Sequence, residues 1–331
     1  MQVLAVTDRN GFTHQPGMAV PPSHKGILEI HGAERICTWT KVATTVHAGS
    51  NRIITTTEPT DFAPGEKVVL SNPHQELTVK ERIGDNGTSF SVLEYVREDH
   101  IAEVRNHNGK TIDMRCEVGL LTRNVVVQGA GLPRRDGSPT IYDCQANHYF
   151  SSTESKCVET DDELLLERVH AVERPSSEQL YGIHTGAFNG GYYRIENAEF
   201  RHCGQAGVLG RYCMHLHKLG DAPETDSYLR YNSIHHSFQR ATTIHGTHHA
   251  VVKGNVAYDI MAHAYFIEDG DEMYNTFEKN LGVFIKVSEM ALRSDKEPAV
   301  FWTRTAVNYW RDNVGTESES MGMWFDFVGG Q

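Results

Sequence analysis

His215 and His217 stand two apart in Met214-His-Leu-His217, and apolar–ionisable pairs return at Ile244-His245 and Ile267-Glu268. In a strand, alternate residues share a face, so both imidazoles point one way while Met214 and Leu216 point the other. Aligned on Asn232 and Asn255, two segments repeat 23 residues apart without a gap. His236 then meets Asp259, Arg240 meets His263, Ile244 meets Ile267, and His245 meets Glu268. A period in the low twenties that carries both residue classes points to the stacked coils of a solenoid. Stacking brings residues one period apart to within one strand spacing, about 4.8 Å. Either His215 or His217 is therefore expected over His245, and His245 over Glu268 with Asp269 beside it. Imidazoles gathered with a carboxylate suit a divalent metal, zinc or calcium, with His215, His217, His245 and Glu268 as the ligand set. They equally suit acid–base work, because neighbouring charges tune imidazole pKa values.

Arg211, Lys218 and Arg240 offer positive charge to an acidic substrate, with Asp221 and His263 as further substrate contacts. Matching Phe200 to Ile234 gives an offset of 34, its excess expected to loop out at Gly220–Asp226. That match lines His202, His236 and Asp259 into a second ladder. Ten of the nineteen histidines fall between His184 and His263, a concentration that composition alone does not produce. His235, His248 and His249 are expected as exposed polar residues. Glu268-Asp-Gly-Asp-Glu272 lacks the spacing of a known calcium loop and reads as a solvated turn. No phosphate-binding glycine loop or serine nucleophile elbow is present.

The elements that must hold these residues are strands. Short Val/Ile/Thr/Tyr/Phe runs punctuated by Gly, Asn and Asp dominate the 331 residues, and helix signals are sparse. Net charge is −12, which argues against general attraction to nucleic acid or an anionic membrane. No apolar run is long enough to span a bilayer, and the N-terminus lacks a signal-peptide pattern. The six cysteines contain no CxxC pair; Cys144 and Cys157 flank a polar loop and could form a local disulfide or remain free thiols. Asn86-Gly-Thr88 is a glycosylation sequon on a turn, so the compartment leans extracellular.

Residues 1–25 read as an irregular leader and 26–110 as a small β-rich subdomain, in which Thr78–Val96 forms a hairpin around Asp85-Asn-Gly87. Coils are expected over 111–331, starting at Glu117–Gly129. An insertion at about 132–182 interrupts them, with one helix over Thr160–His170 that opens on a capping box. Asn232, Asn255 and Asn280 recur as buried turn residues able to stack as an amide ladder, a structural role. The fold class is thus all-β: a parallel β-helix with a small N-terminal β subdomain and one loop/helix insertion.

Several of these motifs occur together in one family. Arg211-Tyr-Cys-Met-His-Leu-His217, Ser233–Arg240, Ile244-His-Gly-Thr247 and Phe266-Ile-Glu-Asp-Gly270 resemble the β-helix of fibrocystin-L and of the cell-migration-inducing hyaluronidases. Glu117–Asn124, Gly26–Gly32 and Thr38-Trp-Thr40 match further segments, so the resemblance covers roughly residues 26–331. It implies a right-handed β-helix in an extracellular or cell-surface protein. Some members depolymerise hyaluronan, while fibrocystin-like members are large receptor-like proteins. The chain departs from the pattern in carrying only the tail of the family's N-terminal glycine-rich domain, and in Cys213 standing where the family usually has proline. These departures are those expected of a fragment or of a truncated gene.

Two functions compete. In the first, His215, His217, His245, Glu268 and Asp269 cleave an acidic polysaccharide such as hyaluronan, by hydrolysis or by elimination. Hydrolysis asks for two carboxyls, Glu268 with Asp221 or Asp259; elimination asks for a base and a cation beside the uronate. In the second, the chain is a non-catalytic receptor-like or scaffold module whose ladders are structural or stapled by metal.

Overall fold

The computed structural model describes residues 4–5, 26–49, 52–129, 148–151, 156–159, 182–288 and 292–327. Three parallel sheets run the length of the coils. The first, which carries the candidate site, orders Leu4–Ala5, Thr185–Phe188, Met214–Asp221, Thr242–His248, Tyr265–Ile267, Ala299–Thr303 and Met321–Phe325. The second orders Ile27–His31, Tyr192–Glu196, Tyr228–Arg230, Val251–Lys253, Thr276–Glu278 and Tyr309–Arg311. The third orders Val125–Gln128, Ala198–Arg201, Ser233–Ser237, Val256–Met261, Leu281–Lys286 and Val314–Ser318. The chain visits the sheets in that cycle, one strand of each per coil.

The 23-residue register holds in the paired strands: Ile234 lies opposite Ala257 and Ile244 opposite Ile267. Leu216, Ile244 and Ile267 are fully buried and stack up the interior. Each coil must turn sharply, and the turns use left-handed backbone at equivalent positions. His202, His236, Asp259, Phe284 and Glu317 all have φ between 48° and 57° in one such column. Between the second and third sheets, Asn232, Asn255, Asn280 and Asn313 form a continuous amide ladder. Each Nδ2 of the first three donates to the Oδ1 of the next at 2.9–3.1 Å. The ladder satisfies amides that burial would otherwise leave unpaired.

Phe200 pairs with Ile234 at the offset of 34. The extra length is divided, however, rather than looped out at Gly220–Asp226 alone. Met214 pairs with Thr242, 28 apart, so about half the excess already sits in the loop before Met214. The rest follows a β-bulge between His217 and Gly220.

An antiparallel sheet, in the order Trp39–Lys41, Glu117–Leu120, Lys67–Leu70, Gln75–Arg82, Ser89–Val92, Ile53–Thr55, packs on the third coil sheet. Its extent differs from the expected 26–110. Ile27–His31 joins the second coil sheet, where its side chains pack on the coil interior, and Glu117–Leu120 closes the antiparallel sheet, so the third sheet begins at Val125. The hairpin around Asp85-Asn-Gly87 forms as expected between Gln75–Arg82 and Ser89–Val92. His148–Ser151 and Lys156–Glu159 pair as an antiparallel hairpin. The helix expected over Thr160–His170, most of the leader and Cys144 lie outside the described residues. No helix of the described residues is long and apolar enough to cross a membrane.

Candidate functional site

Met214 and Leu216 are fully buried in the coil interior, which turns His215 and His217 outward on the same strand. Register decides which one faces His245: His217 lies directly opposite it, and His215 lies opposite Thr243. Both rings nevertheless touch His245, with centroids at 4.4 Å from His217 and 6.2 Å from His215. One ring nitrogen from each of the three residues falls within 4.8 Å of the others. On the next strand Glu268 adds its carboxylate, Oε2 lying 3.8 Å from His245 Nδ1, while Asp269 Oδ2 lies 2.7 Å from His245 Nε2.

Unusually, several polar atoms here are buried without a hydrogen bond. His215 donates Nδ1–H to the Gly210 carbonyl at 3.3 Å, but its Nε2 has no hydrogen-bond partner. His217 Nδ1, Thr243 Oγ1 and Glu268 Oε2 are likewise unbonded. Leaving a buried polar group unsatisfied costs about 1–3 kcal/mol, so these atoms add little to stability by themselves. Burial, with the nearby His217 and His245, pushes the His215 pKa well below its ordinary value. Burial and His245 lower His217 to about 4. Both imidazoles are neutral near pH 7 and present lone pairs. Burial raises the Glu268 pKa against the opposing pull of Arg240 and His245.

The loop Gly204–Tyr212 forms one rim. It is closed by a Cys203–Cys213 disulfide, a pairing that sequence reasoning missed while weighing Cys144 and Cys157. The loop brings the Tyr212 ring to 4.8 Å from His215 and sets the Arg211 guanidinium on His184 Nε2. His184 was not singled out from sequence, because its place beside Arg211 follows from the pairing of Thr185–Phe188 with Met214–His217, which no local repeat shows. Burial, then Arg211, lowers the His184 pKa to about 4. A Cβ at Gly186 would lie 2.8 Å from the His215 carbonyl, so glycine leaves room for the adjoining strand. Lys218 is exposed at the rim.

Other expected contacts are placed elsewhere. Arg240 is 1% exposed and is no surface cation. Asp295 neutralises it at 2.6 Å, Tyr212 and Ser294 accept its remaining hydrogen bonds, and its guanidinium lies 3.5 Å from the Phe266 ring centroid. His263 is fully buried: Nε2–H donates to the Ser294 carbonyl and Nδ1 accepts from the Ala299 N–H, so the ring is a structural tie. Asp221 pairs with exposed His249 at 2.9 Å.

Asp259 belongs to the third sheet, beside Lys286, and cannot complete a carboxyl pair with Glu268 on the first. The second ladder of His202, His236 and Asp259 does line up, but against the antiparallel sheet: His236 lies 3.6 Å from Glu76 and 3.9 Å from Asp259. His235 is 6% exposed rather than solvated, and pairs with buried Glu199 at 3.3 Å. His248 is half-buried and accepts the Met273 N–H.

Asp269, Asp271 and Glu272 also cluster. Fully buried Glu272 accepts the backbone N–H groups of Gly246, Asp269 and Gly270, which explains it as the brace of this turn.

Parallel coils of three sheets, with a histidine row on the outside of one, define a parallel β-helix protein. Residues 180–329 match the family model described as CEMIP beta-helix, and the chain belongs to the family that fibrocystin-L shares with the CEMIP proteins. Human fibrocystin-L is 32% identical over 98% of this chain, which spans 8% of that protein's length. Human cell migration-inducing and hyaluronan-binding protein is 28% identical over 65% of the chain, which spans 16% of it. Human cell surface hyaluronidase CEMIP2 is 28% identical over 80% of the chain, which spans 19% of it.

Proposed function

We propose that this chain acts outside the cell or at its surface, binding an acidic polysaccharide of the hyaluronan type over the first sheet and cleaving it at the His215/His217/His245/Glu268 cluster. The observation that carries this reading is the convergence of unbonded buried atoms from His215, His217 and Glu268 beside His245. Relatives whose names include hyaluronan-binding protein and hyaluronidase favour the substrate class.

Glu268, held protonated to higher pH by burial, is placed to give a proton to the leaving glycosidic oxygen. Neutral His217 is the base. In hydrolysis it takes a proton from the attacking water, whose oxygen bonds to the anomeric carbon; in elimination it takes the proton alpha to the uronate carboxylate. Asp269 orients His245 through its Nε2.

The donor set also fits a divalent metal. Three imidazole nitrogens within 4.8 Å favour zinc over calcium, which prefers oxygen ligands. A bound zinc would supply Lewis acidity and a water of lowered pKa.

The test is reducing-end release from hyaluronan, with ultraviolet absorbance of an unsaturated uronate separating elimination from hydrolysis, and elemental analysis before and after chelation. Turnover abolished in His217→Ala and Glu268→Gln supports the reading. Absence of turnover with intact glycan binding would favour the receptor-like alternative, to which the 32% identity with fibrocystin-L also points.

A further inference from the structure

The histidine-bearing sheet continues into a row of aromatic rings. Register sets Thr243 opposite Phe266, Phe266 opposite Trp302 and Trp302 opposite Trp324. Phe266 and Trp302 stack at 4.1 Å with planes 7° apart, and partly exposed Trp324 packs on the end of the row. Beside them lies a cleft of about 360 Å³ whose lining includes Trp302, Trp324, Arg293, Lys296 and Arg304.

Arg304 pairs with Asp326 at 3.1 Å and sits 5.3 Å from the Trp302 ring centroid. Arg293 and Lys296 are exposed and have no ion-pair partner among the described residues. Glu297 and Asp326 also border the cleft, so three cations stand against two carboxylates and the lining keeps a small net positive charge. The wall is anchored to the histidine site. Buried Asp295, in the turn Arg293–Asp295, holds Arg240, whose Nη1 lies 3.7 Å from Glu268.

We propose that this cleft is a sugar subsite for the acidic glycan. Trp324 offers an apolar face beneath a pyranose ring, while Arg293, Lys296 and Arg304 receive a uronate carboxylate. The inference rests on the acidic-glycan reading above and adds where the polymer lies and what selects its charge. Guanidinium forks match carboxylates in pairs, and an aromatic ring with a few convergent polar groups is the usual make-up of a small-molecule site. The strand carrying Trp302 is two places from that carrying His245, roughly 10 Å. A polymer crossing the strands along the coil axis would therefore reach the cleft within a disaccharide or so of the cleavage point.

The test uses a His245→Ala background, in which hyaluronan hexasaccharide is bound without turnover, and follows binding by calorimetry with a neutral chitin hexamer as control. Adding Trp324→Ala, and separately Arg293→Glu with Lys296→Glu, should each weaken hexasaccharide binding about tenfold or more. The chitin hexamer should bind weakly throughout. The charge-reversed variant alters exposed side chains only, so its result stands even if Trp324→Ala lowers stability. Hexasaccharide affinity within about twofold of the background in both variants would overturn the subsite while leaving the glycan reading intact. No hexasaccharide binding by either the background or the unsubstituted protein would sink the glycan reading, and the subsite with it.

Discussion

Arg240 and Asp295 are fully buried partners, Nη2 lying 2.6 Å from Oδ1 and Nε 3.1 Å from the same oxygen. The pair ties the turn before Ala299 to the corner before Thr242, directly behind Glu268. Removing one member leaves an uncompensated buried charge. Arg240→Ala or Asp295→Ala should therefore lower unfolding free energy by about 3–5 kcal/mol. The apolar double variant Arg240→Met/Asp295→Leu should lose less than either single change, as read by denaturant titration.

The histidine cluster makes the opposite prediction for stability. Because Glu268 Oε2 and His217 Nδ1 are buried without hydrogen bonds, the ligand-free protein gains little from them. Glu268→Gln and His217→Ala should change the melting temperature by no more than a few degrees, upward for Glu268→Gln. Hyaluronan turnover should fall about 100-fold or more. A large loss of stability in both would assign the cluster to structure.

Acid should loosen the contact between the antiparallel sheet and the coils. Burial acts to raise the Glu317 pKa, but the His74 side chain and the backbone N–H groups of Asn72 and His74 outweigh it, and the net value is lowered. A carboxyl whose folded pKa is depressed contributes stability in full above its unfolded pKa, near 4.3, and loses it as pH falls through the folded value. Glu317→Gln should cost about 2 kcal/mol at pH 7 and flatten the dependence of stability on pH below about 5. An unchanged acid profile would contradict this assignment.

The Cys203–Cys213 disulfide should matter more to the rim than to the coils. It closes only the short loop that presents Gly210, Arg211 and Tyr212 to His184 and His215. Cys203→Ser/Cys213→Ser should cost about 2–3 kcal/mol. Proteolytic nicking within 204–212 should rise before the coils unfold, as limited digestion would read.

The stacked register was legible because it is carried by local repetition: Ile244 over Ile267 and the asparagine column need no distant information. Which histidine faces His245 was not legible, because half of a long insertion lies between Cys203 and Met214 and hides the register. The burial of Arg240 was equally invisible. It depends on Asp295, 55 residues away in a loop with no pattern of its own. Charge alone made Arg240 look like a surface group, and only packing against Phe266 and Asp295 decides otherwise.

The asparagine ladder fixes one corner of the coil while the other two vary. Arg194 and Tyr228 in the second sheet are 34 apart, as are Glu199 and Ser233 in the third. Val251 and Thr276 are 25 apart, as are Val256 and Leu281. From Arg194 onward the spacing between those sheets does not change; in the coil before it, the antiparallel sheet is inserted at this same corner, between His31 and Val125. Beyond that insertion, coil length changes at the two corners that border the histidine sheet and at the bulge after His217, so that 28 residues separate Met214 from Thr242 but 36 separate Tyr265 from Phe301. The molecule thus has a constant spine and a variable edge. Loops can lengthen or shorten beside the histidine face without moving the asparagine rungs of the scaffold behind it.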